Sequence, residues 1–236
     1  MRRRRRLPTR RRRALGCAAL ALALLLLVQG LLHTGLLLPI QAVRLGEGQE
    51  GVRDTRVILR QWEPELYRTS LCYLTASDRA LVLSHPHLTV RGWQGGGTAL
   101  LDCVEDQPLH AMEQVILLDA GAEAENRYYG THHFFYGRVD DPAIETVEIQ
   151  LKVPPEAAEG GPSGHLTLTA PIIEREGRRY FLLAHRLPFV SPVGLGREDC
   201  VVGRNGAGEA MATVRIEAAA VGSCQRAPRA GETGGT

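Results

Sequence analysis

The chain has 236 residues and a formal net charge of +2, from 28 Lys and Arg against 26 Asp and Glu. Nine of the basic residues are arginines within the first thirteen positions, so the rest of the chain is net acidic. Such a block, which contains no aromatic residues and is followed by an apolar run, is not typical of nucleic-acid binding, and no nucleic-acid partner is expected.

An uncharged, leucine-rich run follows the arginines, from Ala14 to Leu32. As a helix it would rise roughly 28 Å, close to the thickness of a bilayer's hydrocarbon core. Arginines stay on the cytoplasmic side, so the rest of the chain is expected outside the cytoplasm. The sequence predicts a cytoplasmic tail at 1–13 and a transmembrane signal anchor at 14–40. The protein would be a single-pass protein of the cell membrane, with lipid as a partner.

A signal peptide cleaved after Ala42 is the alternative interpretation of the N-terminus. The apolar stretch is longer than the ~7–15 residues of a usual signal-peptide core, which favours an uncleaved anchor. The next segment is rich in Gly, Glu and Gln and is predicted to be a flexible linker over 41–54. The glycine-rich end, 226–236, is predicted to be disordered.

Between these segments, residues 55–225 show short β-prone runs with a period of two, and Ile144 to Leu151 alternates most clearly. The run from Leu109 to Leu118 fits either a strand or a helix. Turn residues separate the runs at Asp140-Asp141-Pro142, Glu176-Gly177 and Asn205-Gly206-Ala207-Gly208. The pattern predicts an all-β exported domain, a β-sandwich or an open barrel.

Four cysteines lie beyond the apolar run: Cys72, Cys103, Cys200 and Cys224. In an exported domain they permit two disulfides, with three possible connectivities. Pairing of Cys72 with Cys103 and of Cys200 with Cys224 is preferred, because each pair brackets a predicted hairpin. Free buried thiols are the alternative.

His85 and His87 point to the same side of an extended chain, where they could share a Zn²⁺, Cu²⁺ or Ni²⁺ ion. Pro86 between them favours a loop, so ordinary turn histidines are the other interpretation. His132 and His133 should lie on opposite faces of a strand. No other metal or cofactor motif is present, and no cofactor is expected.

Aromatic residues cluster at Tyr128, Tyr129, Phe134, Phe135 and Tyr136. Flat rings give large contact areas, so such a cluster can form a binding face for an envelope protein or glycan. Strand alternation places Phe134 and Tyr136 on one face, and most of the cluster fits a core. Tyr128, Tyr129 and Phe135 are the candidates for the binding face.

Two motifs resemble a known group of proteins. The segment from Tyr136 to Ile149 ends one strand in Gly-x-Val-x-Asp-Asp-Pro-x-Ile and begins an alternating one, and Val202 to Gly208 forms a closing hairpin. In these motifs the chain resembles small membrane-anchored or lipoprotein extracytoplasmic β-domains of Gram-positive bacteria. The resemblance implies a β-rich extracytoplasmic domain, and the group has no established activity to carry over.

No catalytic residue is assigned. No serine lies in a Gly-x-Ser-x-Gly motif, and Gly95-Gly96-Gly97 lacks the lysine of a phosphate-binding loop. The sequence therefore favours a non-catalytic binding or scaffolding module of the cell envelope. The alternative is an envelope hydrolase, possibly metal-assisted through the histidines.

Overall fold

The computed structural model describes residues 9–31, 36–64, 66, 69–103, 107–118, 130–152, 165–187, 199–216 and 218–219. Its two helices are α1 (Thr9–Leu31) and α2 (Pro39–Gln49). Its strands are β1 (Arg56–Trp62), β2 (Leu71–Ala76), β3 (Ala80–Ser84), β4 (His87–Thr89), β5 (Gly92–Gln94), β6 (Thr98–Asp102), β7 (Leu109–Leu118), β8 (Gly130–Val139), β9 (Thr146–Lys152), β10 (His165–Ala170), β11 (Ile172–Arg175), β12 (Arg178–Leu187), β13 (Cys200–Arg204), β14 (Ala210–Arg215) and β15 (Ala218–Ala219).

The strands form three larger sheets and one small hairpin. We call β1-β2-β3-β6 the N-terminal sheet, β11-β12-β8-β7-β15 the central sheet, and β10-β9-β13-β14 the C-terminal sheet; β4 and β5 pair as the small hairpin. Neighbouring strands run antiparallel, apart from the parallel contact of β15 with β7. The prediction of a predominantly β fold is confirmed.

The central sheet is buried on both faces. Phe134 and Tyr136 pack with Leu74 and other residues of the N-terminal sheet. Phe135, which points the opposite way, packs with Ile149 and other residues of the C-terminal sheet. Each face of the central sheet is thus covered by another sheet.

The local sequence patterns correctly predict the C-terminal sheet and its hairpins. In β9, Val147, Ile149 and Leu151 are fully buried, whereas the residues between them are partly exposed. Glu176-Gly177 joins β11 to β12, and Asn205 to Gly208 joins β13 to β14. The segment from Leu109 to Leu118 is strand β7 rather than a helix.

Helix α2 corrects the prediction of a flexible linker over 41–54. Val43 is fully buried, and the Glu47 carboxylate accepts hydrogen bonds from Thr55 Oγ1 at 2.6 Å and from Thr75 Oγ1 at 2.5 Å. Thr75 faces away from the central sheet, because its neighbour Leu74 faces toward it. Helix α2 therefore covers the outer face of the N-terminal sheet, where tertiary contacts outweigh the low helix propensity of its two glycines.

The described side chains of α1, from Arg13 to Leu27, are exposed, including the leucines at 24–27. Within the part of the chain that the structure describes, none of the helices combines the length and the apolar character required to cross a membrane.

The predicted disulfide between Cys72 and Cys103 is not formed, and both residues are buried free thiols. Cys103 lies beside Arg79 at one end of the N-terminal sheet, whereas Cys72 pairs with Gln61 toward the other end. The strand register separates them by about six residues, on the order of 20 Å, whereas a disulfide needs Cα atoms within about 7 Å. Cys200 is also a free thiol, and its predicted partner Cys224 lies outside the described residues.

Candidate functional site

The two histidines predicted to share a metal lie in different environments. His85 is buried, and its Nε2 atom is 2.8 Å from Oε1 of Gln114 on β7. His87 begins β4 and is partly exposed. Across the described ranges, no group of three or more His, Cys, Asp or Glu residues is arranged to hold a metal ion, so nothing there completes a site around this pair.

His85 instead belongs to a buried aromatic cluster at one end of the central sheet. Phe134 contacts the rings of His85 and His132, with centroid separations of 4.3 and 4.6 Å. His132 Nε2 lies 3.6 Å from Oε1 of Glu63. Loss of water around the rings lowers the pKa of both His85 and His132 to about 4, so both are neutral at neutral pH.

His133, on the opposite face as predicted, forms a chain of three polar groups. Its Nδ1 atom is 2.5 Å from Oε1 of Glu113, and its Nε2 atom is 2.6 Å from the hydroxyl of Thr131. Hydroxyl, imidazole and carboxylate follow one another as in nucleophilic triads. All three residues are almost completely buried, which leaves a substrate no path to Thr131 through the described residues. Sequence analysis missed this chain because it considered only serine as a nucleophile.

Phe135 is fully buried and stacks near His133, at a centroid separation of 6.1 Å. Its prediction as part of a binding face is wrong, because the C-terminal sheet covers that face of the central sheet. The other two candidates, Tyr128 and Tyr129, lie outside the described residues.

A different feature forms the most open candidate site. A cleft of about 610 Å³ opens where the start of β1, the β2–β3 turn and the β11–β12 turn meet. We call it the arginine cleft; its charged lining residues are Arg53, Asp54, Arg56, Asp78, Arg79, Glu176 and Arg178.

Local turn chemistry places the charged side chains at this cleft. Between β2 and β3, the Ser77 hydroxyl accepts a hydrogen bond from the backbone N–H of Ala80, which closes the turn and leaves Asp78 and Arg79 exposed at its tip. Between β11 and β12, Glu176 and Gly177 both have positive φ, at 52° and 75°, as a two-residue hairpin of type I′ requires.

The ion pairs of the cleft leave two arginines over. Arg56 pairs with Glu176, which raises the pKa of Arg56, and Nη2 of Arg178 lies 3.2 Å from Oδ1 of Asp78. Arg53 and Arg79 form no ion pair or hydrogen bond with any of the residues described. The cleft therefore presents guanidinium groups whose hydrogen-bond donors point to solvent.

A buried polar cluster supports the β2–β3 turn from behind. Nη1 of Arg138 donates a hydrogen bond to the backbone carbonyl of Asp78 at 3.2 Å. The same guanidinium donates to Oδ2 of Asp140 from Nε and Nη2, at 2.9 and 2.6 Å. His110 Nε2 lies 3.1 Å from that oxygen, and burial together with Arg138 lowers the pKa of His110. This cluster ties the wall of the cleft to the central sheet.

Backbone strain also concentrates at the arginine cleft. Asp54 and Glu176 are the non-glycine residues with positive φ among those described, and both line the cleft. A left-handed conformation is several-fold more common for Asp than for most residues but is unusual for Glu. Strain of this kind is concentrated at functional sites in proteins, which singles out this cleft from the rest of the surface.

No known protein family matches the chain, and searches of curated proteins and of solved structures found no similar protein.

Proposed function

We propose that the chain is a single-pass membrane protein of the cell envelope whose extracytoplasmic β domain binds an anionic ligand in the arginine cleft. The observation that carries this proposal is the pair of unpartnered guanidinium groups, Arg53 and Arg79, beside the paired Arg56 and Arg178. Guanidinium forms two parallel hydrogen bonds with a carboxylate or phosphate, which makes it the side chain best suited to such groups.

The membrane location is supported by the sequence. Nine arginines precede an uncharged run, and the leucines of α1 present their side chains outward. In this arrangement 1–13 stays in the cytoplasm, 14–40 contains the anchor, and the domain lies outside. This location agrees with the resemblance to membrane-anchored β-domains of Gram-positive bacteria. We further propose that the stacked sheets of the domain form a sandwich.

The role is non-catalytic binding or scaffolding. In the arginine cleft the lining side chains are cations, their carboxylate partners and a few neutral groups, without a nucleophile held by a general base. The ligand class is an acidic glycan or an acidic segment of an envelope protein, whose carboxylates or phosphates would displace water from the arginines.

Binding of a defined polyanion tests this proposal. The probe is polygalacturonate, titrated at low salt into the full-length protein in lipid nanodiscs, with neutral dextran as the control ligand. We expect Arg53→Gln combined with Arg79→Gln to weaken binding at least about tenfold, equivalent to ~1.4 kcal/mol.

The matched control is Arg60→Gln combined with Arg91→Gln, which removes the same charge from exposed positions outside the cleft. It should leave the dissociation constant within about twofold of the unchanged protein, as expected for exposed charges separated by a Debye length or more. Equal losses in the two double variants, or no saturable binding at all, would refute a specific anion site in the arginine cleft.

The chain from Thr131 through His133 to Glu113 favours a second function, that of an envelope hydrolase. It ranks below binding because Thr131 is fully buried. Release of p-nitrophenol from p-nitrophenyl acetate by the full-length protein, lost in Glu113→Gln but retained in the cleft double variant, would reverse this order.

A further inference from the structure

The small hairpin carries an exposed apolar tip beside the start of the folded domain. Val90 is completely exposed, and Leu88 is 44% exposed. Next to the hairpin, Leu37 and Leu38 are also largely exposed. We call these four residues the juxtamembrane patch. Single exposed apolar residues are normal on protein surfaces, but four on two neighbouring segments are a feature that calls for a partner.

Backbone hydrogen bonds join the two segments that carry the patch. Leu36 N–H donates to the carbonyl of Trp93 at 2.9 Å, and Trp93 N–H donates to the carbonyl of Leu36 at 2.8 Å. On its other side the hairpin is held to Thr69, whose hydroxyl donates to the carbonyl of Leu88 at 2.8 Å. The hairpin is therefore fixed to the domain, and its apolar tip is held in an exposed position.

The length of chain before the patch limits its distance from α1. Helix α1 ends at Leu31, and the five steps from Leu31 to Leu36 span at most about 18 Å even when fully extended. Any surface on which α1 ends thus lies within a short distance of the patch.

We propose that the juxtamembrane patch rests on the outer surface of the lipid bilayer that α1 enters, with Leu88 and Val90 among the lipid headgroups and upper acyl chains. This inference rests on the proposed membrane anchor. Its chemistry fits the interface, because Trp93 is of a residue type that is enriched at headgroup level and the exposed Arg91 at the tip can pair with lipid phosphates.

The contact would orient the arginine cleft. Strand β3 runs from the cleft, at Asp78 and Arg79, to His85, which lies just before the small hairpin. The cleft and the patch are therefore at opposite ends of the N-terminal sheet, roughly 20 Å apart along the strands. When the patch lies on the bilayer, the cleft faces away from it, toward ligands outside the cell membrane.

Site-directed spin labelling of the full chain in vesicles of phosphatidylcholine and phosphatidylglycerol tests this contact. The background carries Cys17→Ala and Cys200→Ser, since Cys72 and Cys103 are buried. Nitroxides are placed singly through Val90→Cys, Leu24→Cys in α1, and Met211→Cys, an exposed apolar position on β14 of the C-terminal sheet. Accessibility to oxygen, which concentrates in lipid, is compared with accessibility to a water-soluble nickel chelate.

We expect lipid-like accessibility at positions 90 and 24, with chelate accessibility several-fold lower than at position 211. A label at 90 that behaves like the one at 211, while the label at 24 reports lipid, overturns the contact and leaves the anchor intact. Water-like behaviour at position 24 overturns the anchor and with it the inference. Lipid-like behaviour at all three positions indicates unspecific adsorption and also overturns the proposed contact.

Discussion

Phe134 lies between two imidazole rings that burial keeps neutral. His85 and His132 both have a pKa of about 4 in the folded protein, against 6.5 for exposed histidine. Between these values the unfolded chain binds more protons than the folded one. The stability contributed by the neutral rings is therefore fully present above pH 6.5 and is lost as the pH falls toward 4.

We expect the free energy of unfolding to fall over this window by up to about 2.7 kcal/mol per pH unit, if both rings titrate. Urea titrations at half-unit pH steps, followed by tryptophan fluorescence, measure it. The double variant His85→Gln, His132→Gln keeps polar groups that do not titrate, and should show a flatter pH dependence between 6.5 and 4. An unchanged slope would mean that acidic groups, and not these histidines, control acid sensitivity.

Gly137 is a second residue whose surroundings determine its identity. A Cβ atom there would collide with the backbone carbonyl of His110 and with the ring of Phe181. Gly137→Ala is therefore expected to destabilise the domain by about 1–3 kcal/mol through overpacking. Gly95→Ala is the matched control, because no atom lies within 4 Å of its added methyl group. Thermal melts of both variants should differ clearly, and equal melting temperatures would show that β8 and β12 can separate at no cost.

At the scale of elements, α2 depends on one buried carboxylate. Replacing Glu47 with Ala would leave the hydroxyls of Thr55 and Thr75 and the guanidinium of Arg44 without their shared acceptor. We expect Glu47→Ala to lower the free energy of unfolding by about 2–4 kcal/mol, because buried partners of a lost charged group stay unsatisfied.

Glu50→Ala is the comparison for this change, since Glu50 is exposed at the end of the same helix. It should alter stability by less than about 0.5 kcal/mol. Denaturation curves of the full chain in detergent give both values. Similar small effects of the two substitutions would mean that α2 is not docked through Glu47.

The elements that sequence analysis predicted are those with local causes. Gly208 has a φ of 82°, so the turn after Asn205 needs its glycine, and the alternation from Ile144 to Leu151 follows from one buried face. Helix α2 could not be predicted in this way. Gly46 weakens its helix propensity, yet a side chain there would collide with Thr98 on β6, a contact visible only in the folded domain.

The candidate site shows the same limit at the scale of the whole molecule. The arginine cleft combines Arg53, Arg79 and Arg178, which no motif or spacing connects in the sequence. The disulfide prediction failed for a related reason. The spacing of Cys72 and Cys103 could not reveal that the register of three strands holds them at opposite ends of a sheet.

Because Cys72 and Cys103 lie in the core between two sheets, their reactivity reports on the whole domain. Burial raises the pKa of Cys103 to about 11 and that of Cys72 further still, so neither forms the reactive thiolate at pH 8. Iodoacetamide should label the partly exposed Cys200 first and these two only when the domain unfolds. Peptide mapping by mass spectrometry gives the three rates. Rapid labelling of Cys103, or recovery of a Cys72–Cys103 disulfide, would contradict the structure.

The pairing of β15 with β7 has a consequence for the order in which the chain can fold. The N-terminal sheet is complete once residue 102 is available, but the central sheet that covers its apolar face also needs β12 and finally β15. If the chain crosses the membrane N-terminal end first, Leu74 and Leu83 must wait uncovered until most of the domain has emerged. Export and folding are then coupled in sequence. During that interval the half-built core is exposed to other chains, so this protein has particular need of assistance against aggregation while it is being translocated.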